Sequence, residues 1–215
     1  MAEDNGLRRF ANSMNITYVQ WRDGDSYDLD VLSQLEGVDL RAAEDMLIAR
    51  NLADWRDVEA LDRIGSERAI AEIKNAIEST NFDVRGEALV RLMIRGLVSD
   101  AQIDTAIVTA LPTASLINGL IKILRVTSSH RSPAVRKELL RTALDGLADA
   151  RFHAAAAAHY IHGGSASIAD MRFRPLYLRF SSEARDERLA AFRELCSLIN
   201  LDADALLADF ARQPT

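Results

Sequence analysis

The alternation of apolar and polar positions is clearest between Phe82 and Val98, where FDVRGEALVRLMIRGLV sets Ala88, Leu89, Leu92, Met93, Gly96 and Leu97 three and four residues apart. That period puts the apolar positions on one face of an α-helix. Glu87, Arg91 and Arg95 take another face, with Glu87 and Arg91 at the spacing of a helical ion pair. Two other segments echo the design. SPAVRKELLRTALDGLA repeats it downstream, with Arg136 in the place of Arg85 and a stripe of Leu139, Leu140, Ala143, Leu144 and Leu147. VDLRAAEDMLIARNLA repeats it upstream through Arg41, but sets Glu44 and Asp45 where the other copies are apolar.

Between these echoes the pattern predicts helices with short joints. Leu52 to Ile64, Leu97 to Ala110 and Leu147 to Ile161 form a second class of helix, and Ser66 to Ser79 and Thr113 to Thr127 a third. The joints carry matching chemistry. Ser99 with Gln102 is a capping box, and Ser132 before Pro133 places an N-cap ahead of a proline at the first helical position. Leu111-Pro112-Thr113 separates two helices, and Gly163-Gly164 ends the alanine-rich one. The run Ala154 to Ala158 has almost no side-chain bulk, which predicts close helix packing around it.

The two ends read differently. Residues 1 to 13 are polar and are expected to fray. Ile16 to Trp21 is rich in β-branched and aromatic residues, and Arg22-Asp23-Gly24-Asp25-Ser26 reads as a turn, so a short β-hairpin is predicted over 14–30. Such a hairpin would cap the helical stack and carry Asp23, Asp25, Asp28 and Asp30 as an acidic edge. Beyond Asp170, arginines 172, 174, 179, 185, 188 and 193 interleave with Phe173, Tyr177, Phe180 and Phe192. Pro175 biases Arg174 towards extended backbone, which predicts an irregular connector over 170–180. Helices from about Ser182 to Asn200 and from Asp202 to Ala211 then complete a C-terminal capping block over 170–215.

With 215 residues, 48% of them hydrophobic and 27% charged, the chain can bury a sizeable core, and it is read as a single domain over 1–215. A net charge of -6 and a pI near 5.3 disfavour a phosphate backbone as partner. No run reaches the roughly 18 apolar residues of a membrane span, and the N-terminus lacks a signal-peptide core, so no membrane contact and a cytoplasmic location are expected. Cys196 stands alone, in the apolar register of AAFRELCSLIN, and reads as a buried core residue.

Catalytic and metal chemistry find little footing, and no cofactor is expected. His159 and His162 are three apart with His153 earlier, but only Asp170 offers a further ligand, so they read as half-buried or partner-facing histidines. Ser165, His162 and Asp170 supply the residue types of a hydrolase triad without the strained turn that presents its nucleophile. The candidate partner-binding residues are Arg91 and Arg95 on the central helix, with Arg172, Phe173, Arg174, Tyr177 and Arg179 in the C-terminal block, since interfaces favour arginine and aromatic side chains. Alanine at Arg174 or Tyr177 is expected to weaken partner binding while leaving the fold nearly unchanged.

Asp83-Val84-Arg85 with Ala88-Leu89, and Ala134-Val135-Arg136 with Leu139-Leu140, resemble the helix starts of HEAT-like, armadillo-type repeats over 38–163. In that family an acidic residue and an arginine stand near the start of a helix. Asp83 and Arg85 match, and Ala134 replaces the acid in the later copy. The resemblance implies an all-α fold, a short right-handed α-α superhelix, here with the hairpin as its cap. RPLYLRF and AAFRELC further resemble the tails of small stand-alone bacterial HEAT-like proteins, which implies a non-catalytic protein-binding module with an immunity or adaptor role. The alternative that the resemblance offers is a HEAT-like DNA-binding protein or DNA glycosylase. That would require a basic groove and base-supporting aromatics, whereas the chain is acidic and its tryptophans, Trp21 and Trp55, lie outside the strongest copies.

Overall fold

A computed structural model of the chain describes residues 6–212 and consists of α-helices joined by turns and short 3-10 segments. The chain forms two compact units that meet in sequence between Val98 and Ser99. No strand occurs among the described residues; the nearest approach is a pair of isolated bridges within the turn around Ser115. No helix among them is long and apolar enough to cross a membrane.

The first unit contains α1 (Gly6–Ser13), α2 (Tyr18–Asp23), α3 (Leu29–Leu32), α4 (Gly37–Ala49), α5 (Trp55–Ile64), α6 (Glu67–Asn75) and α7 (Phe82–Arg95). Its core gathers Phe10, Tyr27, Leu32, Leu47, Leu61, Ile73 and Leu92 among others. The expected fraying at the N-terminus is corrected over Gly6–Ser13, because Phe10 is fully buried with its ring edge-on to Tyr27 at 6.3 Å. Residues 1–5 lie outside the described range.

The predicted hairpin over 14–30 is also corrected: the segment is helical. Thr17 accepts a hydrogen bond from the Gln20 N–H, and the Gln20 side chain accepts one from the Thr17 N–H at 3.0 Å, a capping box that starts α2. Gly24 ends it at φ 74°, a conformation that costs glycine little. Local capping outweighs the strand preference of Tyr18, Val19 and Trp21, since no strand among the described residues pairs with them.

The second unit contains α8 (Asp100–Ala110), α9 (Leu120–Ser129), α10 (Pro133–Asp145), α11 (Ala148–Ile161), α12 (Arg174–Arg179), α13 (Arg185–Leu198) and α14 (Ala203–Arg212). α11 is its centre, packed against α9, α10 and α12, and Ala154, Ala155, Ala156, Ala157 and Ala158 are all buried. Methyl side chains let three neighbours approach one helix, as the alanine run predicts. The third helix class starts later than expected here: residues 111–119 form turns, and Gly119 at φ 68° precedes α9.

The connector predicted over 170–180 is helical as well. A 3-10 turn at Met171–Phe173 leads into α12, with Arg174 in αR backbone and Pro175 in the first turn, where its missing N–H costs nothing. α13 is anchored by Arg188, whose guanidinium donates to the carbonyls of Leu144, Ser182 and Glu183 at 2.9 Å each. Cys196 is fully buried, and that burial pushes its thiol up to about 12, which fits a core residue rather than a nucleophile.

The marker arginines make like contacts. Asn81 caps α7 and Ser132 caps α10, and in each helix the arginine four residues on reaches back to a carbonyl ahead of the cap. Arg85 Nε donates to Ser79 at 2.9 Å and Arg136 Nε donates to Arg131 at 3.0 Å. Arg41 is exposed instead, and Glu44 is buried as an acceptor for the hydroxyl of Ser66, the N-cap of α6. The polar break in the first copy is therefore a tie between α4 and α6.

Candidate functional site

The most prominent feature of the first unit is α2, a helix with no buried residue. Tyr18 is 72% exposed and Trp21 62%, their rings stacked at 5.9 Å, with Val19 exposed beside them. The connection that follows is fixed from below: Arg56, fully buried, donates from Nε to the Asp25 carbonyl at 2.5 Å, and Tyr27 enters the core. The side chains of Asp23, Asp25 and Asp30 stay in solvent. Asp23 is paired with Arg22 at 2.8 Å, so the acidic edge expected of a hairpin reduces to Asp25 and Asp30, next to an aromatic pair that the unit itself leaves uncovered. Asp28 belongs to the fold, accepting the Val31 N–H as the N-cap of α3.

The candidate arginines divide into fold and surface. Arg91 donates to Glu87 at 2.7 Å and to Glu59 at 2.8 Å and lies 3.6 Å from Asp62, while Arg95 donates to the Asp62 carboxylate at 2.5 Å and to its carbonyl at 2.6 Å. Both fasten α7 to α5. Glu87, expected on the polar face, is 2% exposed. The apolar stripe of α7 is also shorter than its pattern, since Gly96 is the left-handed C-cap and Leu97 is largely outside.

In the C-terminal block, Arg172 pairs with Asp170 at 2.7 Å on the surface, and Arg179 pairs with Glu194. Arg174 is exposed, as are Met171 and Leu178. Tyr177 is not: it is 2% exposed, and its hydroxyl lies 2.8 Å from His159 Nδ1. Phe173 packs edge-on to His159 with ring centres 4.4 Å apart. The expectation that Tyr177→Ala leaves the fold unchanged is therefore revised, because the residue belongs to the packing beneath α12.

His159 belongs to this packing, while His162 ends α11 beside Arg136 and Leu140. Among the described residues no three His, Cys, Asp or Glu side chains come together as metal ligands. Gly164 crosses His159 so closely that a Cβ there would stand 2.2 Å from the imidazole. The triad types do not converge either: Ser165 donates to the Ser167 carbonyl at 3.1 Å, and Asp170 is engaged by Arg172.

Burial holds His153, His159 and His162 below their usual range, His162 down to about 4 with Arg136 adding to the effect. Each is neutral in the folded chain and gains a proton on unfolding in mildly acid solution, so the unfolded state binds more protons there. Stability from these groups is complete above their ordinary value near 6.5 and is lost as pH falls towards about 4. Glu138, whose carboxyl burial pushes up, opposes this trend near the carboxylate range. The melting temperature is expected to drop between pH 7 and pH 4.5 and to drop less in His162→Gln; equal slopes in the two proteins would remove His162 from the account.

Comparison with known proteins adds no identity: no family model, no curated protein and no solved structure matches the chain. The buried ionic centre of the first unit, where Asp57 receives Tyr27 and Arg50, escaped sequence reading. The one local signal was Asp54 with Asp57 three residues on, an acidic capping box.

Proposed function

We propose that the chain is a non-catalytic protein-binding module that grips a basic partner protein, in an immunity or adaptor role in the cytoplasm, on a right-handed, HEAT-like α-solenoid. The solenoid reading is supported by the shared cap-to-arginine spacing in α7 and α10 and by the shared reach of Arg85 and Arg136 to a preceding carbonyl. The observation that carries the binding reading is the stacked, solvent-exposed pair Tyr18 and Trp21, flanked by Asp23 and Asp25.

An exposed tryptophan and tyrosine on a helix that buries nothing add no packing to their own unit, whereas aromatic residues are the side chains that dominate binding energy at interfaces. The surrounding carboxylates and the net charge of -6 would steer a basic partner and raise its association rate. The exposed part of the C-terminal block, Arg174 with Met171 and Leu178 beside the Arg172–Asp170 pair, offers a candidate contact surface on the second unit. Tyr177 packs beneath that surface, while Arg91 and Arg95 belong to the first unit, where they fasten α7 to α5.

Immobilised native chain is expected to retain a basic protein from a bacterial extract, and Trp21→Ala with Tyr18→Ala to lose it. A pair of hot-spot aromatics corresponds to a loss of roughly 30-fold or more in affinity. Helicity and melting temperature should not move. Equal retention by the double variant, or no retained protein on the native chain, would overturn the reading.

A further inference from the structure

The second unit holds an open pocket of about 430 Å³ between α10, the end of α11 and the α13–α14 connection. Its walls are unlike the rest of this acidic molecule. Leu140, Leu201 and Leu206 form an apolar floor, and Arg131, Arg136 and His162 stand around it. The volume falls in the range of small-molecule sites, which are typically apolar with a few converging polar groups.

The two guanidiniums are held in place without being neutralised. Arg131 lies over the Tyr160 ring at 4.8 Å and donates from Nε to the Ser128 carbonyl at 3.1 Å. Arg136 donates from Nε to the Arg131 carbonyl at 3.0 Å, which ties the two side chains to one stretch of backbone. Neither has a carboxylate partner among the described residues, in a molecule where Arg91, Arg95, Arg172 and Arg179 each have one. Lys137 also borders the pocket and is paired with Asp209 at 2.5 Å.

Position adds to this. Arg136 and Lys137 follow the first turn of α10, which contains no acid. Cations near the positive end of a helix are placed against its dipole. Two anchored guanidiniums without an acid among the described residues, one exposed and one half-buried, beside an apolar floor are matched by an anion with an apolar body. Guanidinium bonded through Nε still has its Nη donors, and these suit the two oxygens of a carboxylate.

We propose that this pocket binds a small carboxylic acid with an apolar body, its carboxylate held between Arg131 and Arg136 and its hydrocarbon on Leu140, Leu201 and Leu206. This goes beyond the partner-binding reading and does not depend on it, because the pocket lies in the second unit and α2 in the first. The carboxylate would bring the negative charge that the arginines lack, and the hydrocarbon would cover the parts of Leu201 and Leu206 that face water, over the buried Leu140.

The test is calorimetric titration of the full chain with octanoate, 1-octanol and inorganic phosphate. Octanoate is expected to bind saturably at one site, with the alcohol and the phosphate each weaker by about tenfold or more, as the loss of a charge-assisted pair or of the apolar contact implies. Arg131→Met and Arg136→Met should each weaken octanoate by a similar factor. Because Arg136 also fixes the backbone before α10, Leu206→Glu serves as a second variant: it places a carboxylate in the pocket from a half-buried position and should abolish binding while the melting temperature holds. Absence of saturable octanoate binding, or octanoate binding that survives Leu206→Glu in a folded protein, overturns the proposal. Phosphate binding as tightly as octanoate also overturns it, by making the site one for inorganic anions.

Discussion

Replacing Tyr177 with alanine is expected to destabilise the second unit by about 4 kcal/mol, the scale of large aromatic truncations in a core. The side chain is 2% exposed, and its ring meets Phe152 at 5.9 Å, His159 at 5.9 Å and Phe173 at 6.4 Å. Truncation would open a cavity under α12 and remove the hydroxyl that lies 2.8 Å from His159 Nδ1. Tyr177→Phe separates the two effects: it keeps the ring and leaves the buried imidazole nitrogen unpaired, at a cost of about 1–3 kcal/mol. Urea denaturation followed by helical circular dichroism reads both. A Tyr177→Ala protein with the native midpoint would mean that α12 is not packed as described.

The second large effect is expected at Asp57. This carboxylate is fully buried on α5 and accepts three hydrogen bonds: from the Tyr27 hydroxyl at 2.9 Å, from Arg50 Nε at 2.9 Å and from the Asp54 N–H at 3.0 Å. It therefore joins the entry to α3, the end of α4 and the cap of α5. Its charge and the burial of the site keep the Tyr27 hydroxyl protonated far above the usual phenol range. Asp57→Ala would leave the buried Tyr27 hydroxyl and the Asp54 N–H without their acceptor, at a cost of about 1–3 kcal/mol each, while the partly exposed Arg50 turns to water. Asp57→Asn keeps an acceptor for the cap but not the charge, and should fall between alanine and native. Trp21 and Trp55 both belong to the first unit, so tryptophan fluorescence during urea unfolding reports this change directly. An unaltered fluorescence midpoint in Asp57→Ala would show that the carboxylate contributes nothing net.

These two sites mark the boundary between local and distant information in this protein. The sequence by itself determined the all-helical class and most helix ends, because those depend on groups within four residues of one another. Ser99 with Gln102 and Ser132 with Pro133 both cap where they were expected, and Asp202 accepts the Asp204 and Ala205 N–H groups at the start of α14. The same holds for the Glu87–Arg91 pair and for the burial of the alanine run and Cys196. Even the mistaken hairpin and connector were correctable from local signals, since Thr17 with Gln20 is a capping box and Pro175 is well placed in a first helical turn.

Tertiary structure alone decided which polar and aromatic side chains are inside. Tyr27 and Asp57 are 30 residues apart in sequence, and His159 and Tyr177 are 18 apart. No helical period links such pairs, so only folding brings them together and turns a residue expected at a surface, Tyr177, into core. The same step sent Arg91 and Arg95 to Asp62 and Glu59 on α5 and left Arg131 and Arg136 without an acid among the described residues. An arginine reads alike in sequence whether it meets a carboxylate of another helix or a backbone carbonyl and an aromatic ring. The difference arises because partner choice is set by the packing of whole helices, while helix formation is set by neighbours along the chain.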